Sequence, residues 1–160
     1  MSRPNAFDPE ARGEYDERDP EGYRCAELPF GKAAGGKELA VRLFEMQPGQ
    51  SLCPYHYEYV EEWLMVVSGH VQVRTPTGTG PAEAGDLVCF PAGPQGAHKV
   101  TNDTDQPVRI IMFSADVEPS VAVYPDSDKV GVWTGNDQDK WMFRGAGAHL
   151  EYFDGEPLPN

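Results

Sequence analysis

Turn-forming residues punctuate the middle of this chain so closely that they leave no room for ordinary helices. Pro48-Gly49, Ser68-Gly69-His70, Pro76-Thr77-Gly78-Thr79-Gly80-Pro81, Ala84-Gly85-Asp86 and Asn102-Asp103-Thr104-Asp105 cut residues 38–115 into short pieces rich in β-branched and aromatic residues. The turns recur roughly every 8 to 12 residues without helical periodicity, which is the pattern of an all-β sandwich or barrel. The spacing predicts strands over Glu62 to Val67, Val71 to Thr75, Leu87 to Phe90, Ala97 to Val100 and Val108 to Ser114. Glu38 to Met46 is long enough for a helix. Pro48-Gly49 follows at once and β-formers recur beyond it, so it reads as a strand. The 17 Gly and 15 Pro among 160 residues support many turns joining short elements, in a chain the size of one domain.

The flanks differ in texture. Residues 1–37 are rich in Pro, Gly, Asp and Glu and read as an irregular arm, mobile over its first twenty or so residues, with Leu28-Pro29-Phe30 able to dock. Residues 116–160 hold Val121 to Trp133, Trp141-Met142-Phe143 and Tyr152-Phe153, too many aromatics for a disordered tail. This extension is expected to pack on the body or on a partner subunit, as a lid or as an added strand.

Within Gly49 to Gly69, His56, Glu58 and Glu62 stand two and then four residues apart. Imidazole with carboxylate is a ligand set for Mn, Fe, Ni or Zn. In an extended chain His56 and Glu58 share a face and Tyr55 and Tyr57 point away from it. Taken alone, this stretch is equally a solvated acidic strand with one surface histidine. A second stretch, Gly85 to Asn102, has glycines and prolines over 91–96 that force a bend. A strand restarting at Ala97 then aims His98 into a cavity and Lys99 outward.

Together these stretches resemble the two motifs of the cupin superfamily, carried here by His56, Glu62 and Gly69 in the first and by Gly85, Pro91, Gly93, His98 and Asn102 in the second. Both the Gly49–His56 and Gly93–His98 gaps are longer than the family's, and Glu58 replaces the second histidine of H-x-H. The resemblance implies a single cupin jelly-roll barrel, a double-stranded β-helix over residues 38–115, with irregular N- and C-terminal arms. It implies one divalent metal held by His56, Glu58, Glu62 and His98, with Glu62 opening the strand that continues to Val67. It also implies a homodimer.

The remaining readings concern function. A net charge of -13 repels phosphate backbones and anionic lipid, so neither nucleic acid nor membrane is an expected partner. The amino terminus lacks an apolar targeting core, and Cys25, Cys53 and Cys89 form no C-x-x-C pair; a cytoplasmic protein with reduced thiols is expected. Cys53 reads as buried and inert, or as a redox-sensitive thiol or ligand beside His56. Tyr55, Tyr57, Tyr59 and Trp63 are expected to pack outside the site, and Arg42, Arg74 and Arg109 in outward salt bridges; one turned inward favours an anionic substrate. His70 and His149 read as surface residues, and Glu61, Tyr57 and His149 as possible bases. The expected function is a metal-dependent enzyme, a dioxygenase or a sugar-phosphate-isomerase-like protein, acting on a small polar or anionic molecule. The alternative is a non-catalytic cupin module that binds or senses a metal or small ligand.

Overall fold

The computed structural model describes residues 3–11, 13–136, 138–145, 150–151 and 154–155. Strands β1 (Cys25–Leu28), β2 (Leu39–Met46), β3 (Tyr57–Glu58), β4 (Glu62–Ser68), β5 (His70–Thr75) and β6 (Gly78–Glu83) precede β7 (Leu87–Phe90), β8 (Lys99–Thr101) and β9 (Val108–Ala115). The extension adds β10 (Ser120–Tyr124), β11 (Lys129–Trp133) and β12 (Lys140–Arg144). One five-residue helix, α1 (Phe30–Ala34), lies between β1 and β2 and ends at Gly35. The strands form three antiparallel sheets, ordered β1-β2-β9-β4-β7, β12-β11-β10-β3 and β6-β5-β8.

Period-two alternation explains how the sheets meet. Leu64 and Val66 of β4, Val108, Ile110 and Met112 of β9, and Met46 of β2 point to one side of the five-stranded sheet. They pack against Val71 and Val73 of β5, Ala82 of β6 and Val100 of β8. Each such buried aliphatic side chain stabilises the fold by about 1.5–3 kcal/mol. A bulge between Val66 and Ser68 shifts the register, and Val67 joins Phe30 and Leu43 in a second cluster with Val41, Leu28, Ala6 and Ile111. Gly69 then turns the chain at φ 78°, where an added Cβ would stand 2.6 Å from Val108 Cγ1. Asn102 is wholly buried, and its amide donates to the carbonyls of Met46 and Gln106 at 2.9 Å each. That motif residue therefore holds two loops rather than serving the site.

Several expectations need revision. The amino-terminal arm supplies a strand and a helix, because Cys25 and Ala26 are buried and Phe30 caps the second cluster. Its earlier part is tied down by Arg109, whose guanidinium donates to the carbonyls of Ala6, Asp8 and Ala11 while pairing with Glu45 at 3.1 Å. Gly78 to Pro81, the second part of the expected turn Pro76 to Pro81, instead belongs to strand β6; that strand lies at a sheet edge, where a proline such as Pro81 is tolerated. The strand expected from Ala97 begins at Lys99. Tyr152, Phe153 and His149 lie outside the described residues. Among the described residues no helix is long and apolar enough to cross a membrane.

Candidate metal centre

The site is assembled by backbone pairing before any side chain is considered. His56 and His98 form an isolated antiparallel bridge: His56 N–H donates to the His98 carbonyl at 3.1 Å, and His98 N–H donates to the His56 carbonyl at 2.8 Å. Directly opposed residues send their side chains to the same face, and the two imidazole centroids stand 4.8 Å apart. The tight turn Pro94–Gly96 delivers His98 to that position. Gly96 is required there, since an added Cβ would lie 1.8 Å from the Pro91 carbonyl oxygen. Glu62 opens β4 two residues before Leu64, and so faces inward with it.

Both rings are oriented by backbone carbonyls. His56 Nδ1 lies 2.9 Å from the Pro54 oxygen and His98 Nδ1 lies 2.9 Å from the Gly96 oxygen. A carbonyl only accepts, so each Nδ1 carries the proton and each Nε2 presents its lone pair to the cavity. Each Nε2 lies 3.8 Å from Glu62 Oε2. Ligand atoms of His56, Glu62 and His98 all fall within 4.8 Å of one another. The Nε2 of His98 is buried without a hydrogen-bond partner. An orphaned buried acceptor is costly, and a cation bound by the three groups would relieve it.

Electrostatics point the same way. Burial pushes the Glu62 carboxyl up to about 8, reinforced by neighbouring Glu58 and opposed by the Arg42 charge. Burial lowers the His98 imidazole to about 4, with His56 adding to the effect, and burial also lowers His56. Burial raises Glu58 too. Two neutral imidazoles beside a carboxyl that resists ionisation form a cluster short of positive charge.

The cluster lies at the end of a cavity of about 560 Å³ between the five-stranded and four-stranded sheets. Phe90 stacks on His98 at 3.7 Å and Tyr124 on His56 at 5.7 Å, so aromatic faces fix both rings. Glu58 lines the same cavity but is outside the group of three. Its strand β3 pairs with β10, which carries Tyr124 to the site. The extension thus walls the cavity with Tyr124 and Trp133. The sequence offered this segment as a lid or an added strand but not its partner, because the β3–β10 pairing spans more than sixty positions.

Other expected residues separate clearly. Cys53 lines the cavity, and burial followed by the Glu62 charge pushes its thiol up to about 12, which favours the protonated form at neutral pH. Arg42 also lines the cavity, which corrects the expectation of a purely outward salt bridge; its pair with Glu27 is 3.6 Å long and half exposed. The parity it shares with inward Phe44 and Met46 was the available signal. Arg74 does point away, donating to Asp126 at 2.5 Å and covering the Tyr55 ring at 3.8 Å. Glu61 is exposed and accepts from Trp63 Nε1 at 2.7 Å, and Tyr57 packs edge-on against Tyr59. Neither lines the cavity, so neither is placed to act as a base there. His70 is exposed.

Residues 42–114 match the Cupin_2 family model, described as a cupin domain. No curated protein matches in sequence. Among solved structures, a protein named as a candidate sugar phosphate isomerase from Acidithiobacillus ferrooxidans superposes with TM-score 0.76 at 23% identity, over 87% of this chain and 88% of that one. A sugar phosphate isomerase of the cupin superfamily from Silicibacter pomeroyi gives 0.72 at 24% identity, over 88% and 92%. The polyketide cyclase RemF from Streptomyces resistomycificus gives 0.57 at 19% identity, over 72% and 79%. At these identities the likeness establishes the jelly-roll fold alone.

Proposed function

We propose that this chain, whose residues 42–114 form a cupin domain, binds one divalent metal ion (Mn, Fe, Ni or Zn) through His56, Glu62 and His98, with Glu58 as a fourth or exchangeable ligand. The observation that carries this reading is the buried, partnerless Nε2 of His98 aimed at the same point as His56 Nε2 and Glu62 Oε2. When bound, such a metal supplies Lewis acidity to a substrate oxygen or activates a bound water or dioxygen. The protein's part is to orient the imidazoles through Pro54 and Gly96, exclude bulk water behind Phe90 and Tyr124, and admit a small molecule from the open side.

On this reading the protein is a metal-dependent enzyme for a small polar or anionic molecule. Two structural neighbours whose names describe sugar phosphate isomerases, one of them as a candidate, support an isomerase-type substrate more than a dioxygenase one. A cytoplasmic homodimer accompanies this reading, supported by three reduced cysteines and by Trp141, Met142 and Phe143, each about half exposed on the edge strand β12.

Elemental analysis tests the metal. About one equivalent of a single divalent metal is expected in wild type and its loss in His98→Ala; less than about a tenth of an equivalent after loading refutes the reading. Glu58→His that leaves metal choice and affinity unchanged removes Glu58 from the ligand set. Turnover on a panel of sugar phosphates and small organic acids that disappears in His98→Ala supports the enzyme, whereas binding without turnover across the panel favours a sensing module.

A further inference from the structure

The geometry points to Arg42 as an anion-recognition residue of this cavity, holding the carboxylate or phosphate of a small molecule whose oxygen-bearing end reaches the His56–Glu62–His98 cluster. This inference rests on the proposed metal function for its second contact point, but the anion contact stands on Arg42 alone.

Register places the residue. Arg42 pairs with Met112 on β9, and Met112 pairs with Leu64 on β4; the next inward row is Ala40, Ser114 and Glu62. Arg42 therefore stands two strands across and one inward step along from Glu62. With strands about 4.8 Å apart and about 6.8 Å per two residues, their Cα atoms lie roughly 12 Å apart. Two side chains reaching into that gap leave room for a molecule of only a few non-hydrogen atoms between them. Ser114, beside Glu62 on the strand between them, adds a hydroxyl to the same wall.

Charge also selects the ligand. Among the described residues, Arg42 and Lys140 are the cationic side chains lining the cavity, against the carboxylates of Glu58, Glu62, Asp116 and Glu118. Arg42 is the cation built into a central strand pair, β2 and β9. Its ion pair with Glu27 engages Nε at 3.6 Å, a half-exposed contact of little worth, and its terminal nitrogens carry most of the guanidinium's donors. Neutral ligands would gain only single hydrogen bonds from that fork, whereas a carboxylate or phosphate gains a stronger, charge-assisted and bidentate pair. An uncharged polyol is therefore the wrong substrate class, and a hydroxy acid or a sugar phosphate the right one.

Titration calorimetry on Mn(II)-loaded protein tests this with four probes: glycolate, glycerol phosphate, glycolamide and glycerol. Wild type is expected to bind at least one of the two anions and neither neutral probe; the anion that binds identifies whether a carboxylate or a phosphate is recognised. Arg42→Gln is expected to weaken that anion roughly ten- to hundredfold with metal content unchanged. Arg42→Lys is expected to retain phosphate better than carboxylate, since an ammonium is a point charge without a fork. Unchanged anion affinity in metal-replete, folded Arg42→Gln overturns the inference, as does a wild type that binds neither anion. If wild type takes up no metal, the proposed metal function fails; the same titrations on metal-free protein then decide Arg42 separately, because the loss in Arg42→Gln is read against wild type in the same state.

Discussion

Replacing Glu62 by Gln separates the structural cost of this site from its chemistry. The carboxyl is held at about 8 rather than its ordinary 4.5, because ionising it means placing a charge among buried groups beside Glu58. A group whose pKa is raised in the folded state contributes stability that is complete below the unfolded value, and that stability is lost as pH rises through the folded value. His98 runs the other way: lowered to about 4 from 6.5, it contributes stability that is present above 6.5 and lost on acidification toward 4. Between pH 6.5 and 8 the folded histidines are neutral and the unfolded ones finish deprotonating alike in both proteins, so Glu62 is the group that separates them. Relative to Glu62→Gln, metal-free wild type is expected to lose about 2 kcal/mol of stability across that interval. Guanidinium unfolding of chelator-treated protein at pH 6.5, 7.25 and 8 measures the difference. Metal affinity, followed by equilibrium dialysis, should rise with pH over the same interval in wild type as the proton is displaced, and be absent in the variant. Equal pH slopes of stability in the two proteins would show that Glu62 is not the strained carboxyl described here.

Three further perturbations probe the scaffold. Asn102→Ala removes the amide donor to the Met46 and Gln106 carbonyls and the Oδ1 acceptor of Thr104 N–H and Oγ1–H, and is expected to cost about 3 kcal/mol, a fall of roughly 6–12 °C in thermal midpoint; a midpoint within about 2 °C of wild type contradicts it. Gly96→Ala drives a methyl into the Pro91 carbonyl and displaces the oxygen that orients His98, so metal affinity should drop roughly ten- to hundredfold, and unaltered affinity in a folded variant argues against carbonyl orientation. Arg109→Ala removes the contacts to Ala6, Asp8 and Ala11, and limited proteolysis should cut within residues 3–11 several times faster while the body stays intact. Equal cleavage rates would mean that the arm is held by something else.

Local pattern carried much of this protein. Turn residues at short intervals ruled out helices, and alternation marked one face of each strand. The spacing His56, Glu62 and then His98 beyond a glycine-rich bend marked a candidate metal site, because each of those signals lies within a few residues of the chain. Alternation put Arg42 on the face of β2 that carries Phe44 and Met46, but Leu39, Val41 and Leu43 make the other face apolar too, so that signal did not by itself fix which face is inside and Arg42 read as outward. Nor does it tell a two-residue strand such as β3 that its partner is β10, the pairing that brings Tyr124 onto His56 and leaves Glu58 beside the three-residue cluster rather than within it. Sequence alone determined the strand-rich class and picked out four candidate ligands, His56, Glu58, Glu62 and His98, of which the fold gathers three into one cluster. Tertiary pairing decided the walls of the cavity, the charge that faces into it and the proton that Glu62 retains, because burial and long-range register exist only once the sheets have met.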